Sequence, residues 1–179
     1  MSYLSILSPF YSIFNPTTSR SNRFSLSLSL LLVSLCLSSP TLSWSTDLDA
    51  LSRNSEVIIF GKVLGNQCCW AETSMNIITH TKFLVEKNVK GRIRPGDTVT
   101  IETWGGCING MKQVRTHSPV LNKGDYALLF LNSGPKGIYN VYREKEGMIP
   151  FSAQGEDRVS QDGKKLSNLI SDVNLVLEK

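Results

Sequence analysis

The stretch TVTIETWGGCINGMKQVRTHSPVLNKGDYALLFL, residues 98–131, decides the fold of this chain. Residues 98–104 alternate between two faces, which is typical of a strand with one face toward a core. Residues 126–131 are apolar on both faces and predict a central strand that is buried on both sides. Asn109-Gly110 lies between them and predicts a tight hairpin, because both central residues of such a turn need positive φ.

Four further segments predict strands that pair around this stretch: residues 56–64, 77–87, 138–143 and 148–151. Gly61 interrupts the first of them and indicates a bulge or a sharp bend, as small barrels need. The polar residues 65–76 predict a connection between the first two strands. This connection carries Cys68, Cys69 and Trp70.

Two helices are predicted at the ends of the domain. Residues 46–51 predict a short helix that Thr46 caps, because acidic residues fill its first turn. Near the C-terminus, apolar residues recur at helical spacing on one face, and Asp162 is the predicted cap. That face holds Leu166, Leu169, Ile170, Val173, Val176 and Leu177. We expect this helix to cover one end of the sheet, and a partner-binding helix is the alternative.

Together these elements predict a mainly β fold, a five-stranded Greek-key barrel with a short N-terminal helix and a C-terminal amphipathic helix. The predicted boundaries are a leader at residues 1–45, the barrel at residues 46–155, and a polar linker with the packed helix at residues 156–179. A domain of about 130 residues buries enough surface to fold without a metal.

The first part of the chain predicts export. Residues 24–37 form a 14-residue apolar run that follows Arg20 and Arg23 and precedes small residues and Pro40. This order is typical of a secretory signal peptide, and the run is short for a membrane span of roughly 20 residues. We therefore expect a secreted or periplasmic protein. An organelle transit peptide and an uncleaved membrane anchor are the alternatives. Only an uncleaved leader would attach the protein to a membrane.

The charge of the chain does not favour nucleic acid as a partner. The net charge is +4, and residues 1–46 contribute two arginines and no acidic residue, so the remainder carries +2. Trp104 and the nearby basic residues resemble the aromatic and basic surfaces that bind single strands. Export and the small charge both argue against that use, so no nucleic acid partner is predicted.

Three cysteines follow the leader, and they are the main candidates for covalent chemistry. In an oxidising compartment the simplest arrangement is one disulfide and one spare thiol, with either Cys68 or Cys69 paired to Cys107. A strained Cys68–Cys69 disulfide is the third pairing. Sequence alone does not choose among these pairings.

Metal and enzyme chemistry have weaker support in the sequence. Cys68, Cys69, Cys107, His80 and His117 carry atoms that bind zinc or copper, but their spacing fits no zinc finger. Cys107 with His80 or His117 as base is the alternative hypothesis of a thiol- or metal-dependent envelope protein. Phosphate loops, dinucleotide glycine patterns and His-Glu-x-x-His are missing from the sequence. We therefore assign no catalytic residue, no metal and no cofactor.

The order of short motifs resembles a known family. The strand at residues 55–63 is followed by Trp70, by a strand that ends at Val89-Lys90-Gly91, and by Gly96-Asp97, Gly105-Gly106 and Lys123-Gly124-Asp125-Tyr126. Over about residues 47–151 this order resembles small secreted bacterial domains with an OB-like barrel, related to the tissue inhibitors of metalloproteinases and to netrin-type modules. The resemblance implies an OB-like fold and an extracytoplasmic setting.

The resemblance also implies a binding role, with one departure. The metalloproteinase inhibitors bind the protease zinc through an N-terminal Cys, whereas Trp44, Ser45 and Thr46 surround the predicted cleavage point here. That mode of inhibition is not carried over. We expect a non-enzymatic binding module for an extracytoplasmic protein such as a protease. Its predicted contact surface comprises Trp70, Trp104, Arg115 and His117.

Overall fold

The computed structural model describes residues 47–152 and 158–179. Its helices are α1 (Leu48–Asn54) and α2 (Leu166–Leu177), and its strands are β1 (Val57–Trp70), β2 (Ile77–Lys90), β3 (Thr98–Trp104), β4 (Gly106–Ile108), β5 (Met111–Gln113), β6 (Tyr126–Ser133), β7 (Ile138–Val141) and β8 (Met148–Phe151). The predicted leader lies outside the described residues. No described helix has the length and apolar character to cross a bilayer.

Five strands close into a barrel in the order β1-β2-β3-β7-β6, and β6 pairs back with β1. Four of the five pairings are antiparallel, while β3 and β7 run parallel. This is the OB-like Greek-key arrangement that the sequence predicts, so the fold prediction is confirmed. Strand β8 pairs with the free side of β6 as one further strand.

The chain builds two cores, one on each side of β1 and β6. Ile59, Phe83 and Ile101 belong to the core inside the barrel. Phe60 and Phe130 belong to a second core outside it, together with residues of α1 and α2. This arrangement explains why β1 and β6 are apolar on both faces: the helices cover the outer face of the strands, and the barrel interior covers the inner face.

Gly61 marks the bulge that the sequence predicts in β1. The pairing of β1 with β2 shifts register between Phe60 and Gly61. The backbone of β2 approaches so closely here that a Cβ on Gly61 would lie 1.9 Å from the carbonyl oxygen of Leu84. Only a residue without a side chain fits between these strands, and the bend lets a 14-residue strand take part in barrel closure.

Three sequence-based boundaries are wrong. Residues 65–70 continue β1 instead of forming a connection, because they pair with residues 77–82 in an antiparallel ladder. Asp47 is the N-cap of α1, with its carboxylate accepting from the backbone N–H of Ala50 at 3.1 Å. Lys165, and not Asp162, is the N-cap of α2. Long-range pairing and the docked position of each helix override the local polar signals.

Lys90 fastens α1 to the barrel. Its ammonium donates to the carbonyl oxygens of Ser52, Arg53 and Ser55 at 2.9, 3.0 and 2.6 Å. These carbonyls lie at or just beyond the C-terminal end of α1, where a helix leaves backbone acceptors unpaired and favours a cation. The positive charge of Lys90 at the end of β2 therefore stabilises the fold by holding α1 against the barrel.

Candidate functional site

A groove of about 350 Å³ opens at one end of the barrel. Its walls are the end of β3, the β4–β5 hairpin and the connection from β5 to β6. Apolar side chains from the end of β3 and from the β5–β6 connection line it, namely Trp104, Val114, Pro119, Val120 and Leu121. We call this feature the barrel-end groove. Its size falls in the range of sites that hold a single side chain or a small ligand.

The hairpin that forms one wall is the one predicted at Asn109-Gly110. Asn109 has φ 49° and Gly110 has φ 81°, as a two-residue turn of this kind requires. The side chain of Gln113 anchors the hairpin to the barrel. Its amide oxygen accepts from the backbone N–H of Ile77 at 2.5 Å, and its amide nitrogen donates to the Asn76 oxygen at 2.9 Å.

The base of the hairpin lies directly against β1 and β2. A Cβ on Gly106 would lie 2.7 Å from the sulfur of Cys68 and 2.6 Å from the hydroxyl of Thr79. The next residue donates its backbone N–H to the same sulfur, with 3.3 Å between the Cys107 nitrogen and Cys68 Sγ. Glycine is required at position 106 because the hairpin backbone and the Cys68 side chain share one narrow space.

The groove carries positive charge beside its apolar wall. The guanidinium of Arg115 lies over the indole ring of Trp104, 5.0 Å from its centroid. Lys112 also lines the groove, and its lining includes no Asp or Glu. A cation stacked on a Trp face keeps its donors free at the ring edge, so the groove combines an apolar contact with attraction for an anion.

The predicted contact surface is divided by the structure. Trp70 and Trp104 are both exposed, at 45% and 38% of their surface. Trp70 pairs with Ile77 and Trp104 pairs with Ile78, so the two rings leave opposite faces of the sheet. Trp104 lines the groove and Trp70 does not.

The two remaining predicted surface residues also separate. Arg115 lies in the barrel-end groove. His117 is exposed, but its carbonyl oxygen accepts from the backbone N–H of Lys145 at 2.9 Å, and it does not line the groove. Sequence analysis missed Val114 and Val120, two exposed apolar residues of the groove. The run Pro119-Val120-Leu121 in an otherwise polar connection is the signal that marks Val120, whereas Val114 stands alone between Gln113 and Arg115.

The structure brings a thiol, an imidazole and a carboxylate together on the outer face of the barrel. The sulfur of Cys69 lies 3.8 Å from His80 Nδ1, and His80 Nε2 lies 3.1 Å from a carboxylate oxygen of Glu102. These residues come from β1, β2 and β3, and Glu102 pairs directly with His80. The use of Cys107 with His80 or His117 stays a prediction. The thiol that lies against His80 belongs to Cys69, while the backbone N–H of Cys107 donates to Cys68 Sγ.

The electrostatics of this cluster oppose its use as an activated nucleophile. Burial raises the pKa of the Cys69 thiol, and the Glu102 carboxylate and the Cys68 thiol raise it further. The thiol is the unreactive form, so a raised pKa lowers the reactive thiolate fraction at neutral pH. Over residues 47–152 and 158–179, no three His, Cys, Asp or Glu residues gather in a geometry that could hold a metal ion.

The three cysteines in the described ranges are free thiols in the structure. Cys68 and Cys69 are half-buried, and Cys107 is exposed. The two neighbours on β1 point in opposite directions: Cys68 faces the hairpin base and Cys69 faces His80. Comparison of the chain with protein-family models and with curated proteins gives no match.

Proposed function

We propose that this protein is a secreted or periplasmic, non-enzymatic binding module. The barrel-end groove accepts an apolar side chain next to a carboxylate on an extracytoplasmic partner protein. The observation that carries this proposal is the stacked Trp104–Arg115 pair beside an apolar wall, with Lys112 and without a carboxylate in the lining. The signal-like leader supports the compartment.

The distribution of exposed apolar side chains supports the same surface. Met111, Val114 and Val120 are each more than half exposed. Met111 lies on the hairpin, and Val114 and Val120 line the groove together with Trp104. Monomeric proteins seldom leave apolar residues grouped at one place unless a partner covers them. Trp and Arg are also the residues that most often dominate the energy of protein interfaces.

The resemblance to metalloproteinase inhibitors and netrin-type modules makes a protease the first partner class to test. The mode of contact would differ from that of the inhibitors, because this protein would bind through the barrel-end groove and not through an N-terminal Cys. A protease segment with an apolar residue followed by Asp or Glu has the chemistry that the groove complements.

Trp104→Ala is expected to weaken binding of a partner purified from the extracytoplasmic fraction by about 30-fold or more, which corresponds to a hot-spot loss of about 2 kcal/mol. The physical reason is the loss of the apolar contact and of the platform that holds Arg115. The measurement is the dissociation constant by calorimetry or surface plasmon resonance.

Leu175→Ala is the matched control, because Leu175 is also an exposed apolar residue but lies on α2. It should leave the affinity unchanged. Arg115→Ala should weaken binding and reduce its dependence on salt. Binding that survives both Trp104→Ala and Arg115→Ala at full strength would show that the groove is not the contact surface.

A second candidate function is thiol chemistry at Cys69, which the cluster with His80 and Glu102 favours on geometric grounds. The two functions make opposite predictions for Glu102. If the carboxylate mainly raises the pKa of Cys69, its removal makes the thiol more reactive. If the carboxylate orients His80 as a base, its removal makes the thiol less reactive.

We expect Glu102→Gln to speed alkylation of Cys69 by roughly threefold, because the pKa of the thiol falls when the negative charge is removed. The measurement is site-resolved alkylation by iodoacetamide at pH 8 under reducing conditions, read by mass spectrometry. Glu178→Gln removes an exposed carboxylate elsewhere and should change nothing. A slower Cys69 in Glu102→Gln would instead support the thiol enzyme.

A further inference from the structure

We propose that Cys68 and Cys107 are a redox pair whose disulfide fastens the β4–β5 hairpin to the barrel. The pair is selected by the direction of the side chains on β1. Cys68 pairs with Thr79 across the ladder, and its sulfur lies 3.5 Å from the Thr79 hydroxyl, on the side of the sheet where the hairpin packs. Cys69 points to the opposite face, toward His80.

The two residues are already within reach of each other. The Cys107 nitrogen lies 3.3 Å from Cys68 Sγ. A bond of about 1.46 Å joins that nitrogen to its Cα, so the Cα lies at most about 4.8 Å from the sulfur. The S–S bond of a disulfide is about 2.05 Å long, and rotation about the Cα–Cβ bond of the exposed Cys107 moves its sulfur toward Cys68 Sγ.

The second observation concerns Gly106, which precedes Cys107 and packs against Cys68. Gly106 has no room for a side chain because a Cβ there would lie only 2.7 Å from Cys68 Sγ. Gly106 therefore lets the hairpin base lie directly against Cys68, with the backbone of Cys107 next to the Cys68 sulfur. Both cysteines also line the barrel-end groove, so the bond would form inside its wall.

The reaction is thiol–disulfide exchange with a small disulfide such as oxidised glutathione. The thiolate of exposed Cys107 attacks one sulfur of that disulfide, whose S–S bond breaks and releases one thiol. Cys68, the less exposed residue, then attacks the Cys107 sulfur and releases the second thiol. The protein loses two protons and two electrons, and the small disulfide becomes two thiols.

The bond closes a loop of about 40 residues and removes the freedom of the hairpin to leave the barrel. The proposal that this disulfide forms does not depend on any binding partner. Its control of the groove rests on the proposed function: the hairpin is one wall, so oxidation would hold the groove open in its binding shape and reduction would loosen it.

The test uses the full chain with Cys36→Ser, so that the leader thiol does not take part. Oxidised and reduced protein are compared by intact mass, by melting temperature and by hydrogen exchange of residues 106–113. We expect a loss of two hydrogen masses, a rise of roughly 10 °C in melting temperature and about tenfold slower exchange in the hairpin. None of these readouts needs a partner.

Single substitutions decide which thiol pairs, because they remove one of the two adjacent cysteines at a time. Cys69→Ser should still form the bond, whereas Cys68→Ser and Cys107→Ser should not. A bond that persists in Cys68→Ser, or none in Cys69→Ser, overturns the proposal. A bond that forms as expected while Trp104→Ala binds partner normally leaves the disulfide standing and refutes the binding function alone.

Discussion

Gly61→Ala is expected to lower the free energy of unfolding by about 3 kcal/mol, the upper part of the range for overpacking a core. The added methyl would lie 1.9 Å from the Leu84 carbonyl oxygen and 2.9 Å from the Phe83 ring. The first of these atoms is backbone in a paired strand, so it cannot turn aside as a side chain tip can. The strands must separate at the bulge, which loosens barrel closure.

Gly65→Ala is the matched control in the same strand. No heavy atom lies within 4 Å of a Cβ at position 65. That substitution should be close to neutral, or slightly stabilising because it restricts the unfolded chain. Urea unfolding followed by tryptophan fluorescence compares the two variants. Equal stability of Gly61→Ala and Gly65→Ala would mean that the close approach of β1 and β2 is not a constraint.

Gly106→Ala is expected to displace the hairpin base and so abolish both the groove and the Cys68–Cys107 disulfide. Its Cβ would overlap the space of Cys68 Sγ and Thr79 Oγ1, and the residue has φ +142°, where side chains are strained. We expect partner affinity to fall at least about tenfold and unfolding to cost about 2 kcal/mol less. The barrel strands themselves should keep their protection from hydrogen exchange.

Gly110→Ala separates backbone strain from crowding. It also has positive φ, +81°, but nothing lies within 4 Å of a Cβ there. It should cost about 1 kcal/mol of stability for the turn alone and leave disulfide formation intact. Disulfide formation at the normal rate in Gly106→Ala would contradict the close packing of Cys68 against the hairpin base.

Local patterns predicted those elements whose signals are contained within a few residues. The alternation of residues 98–104 predicts a strand, and β3 has these bounds in the structure. Asn109-Gly110 predicts a tight hairpin, and the structure has one there. Residues 126–131 are apolar on both faces and predict a buried strand; β6 is covered by the barrel interior on one face and by the helices on the other. Gly61 predicts a bulge, and the register of β1 shifts there. Each signal reports a backbone or burial requirement of the residue itself.

The composition of the site depended on contacts between distant residues. Cys68 and Cys69 are indistinguishable by sequence, yet β1 extends to Trp70 and its pairing turns them to opposite faces. The same rule separates Trp70 from Trp104. Glu102 was missed because its role depends on register with His80 on β2. A shift of one residue in either ladder would turn these side chains to the opposite faces of the sheet, so that none of these contacts would form.

The amino-acid sequence by itself determined the class of the fold, the approximate positions of its strands and helices, and the turns and bulge that glycine makes feasible. These follow from short-range sterics and from the period of apolar residues. Only the tertiary structure decided the face of the sheet on which Cys68 and Cys69 lie, the residues that line the groove and the side on which each tryptophan lies. Those properties arise from strand register and barrel closure, which join residues from distant parts of the chain, such as Val57 with Leu131, and leave no mark in any local stretch of sequence.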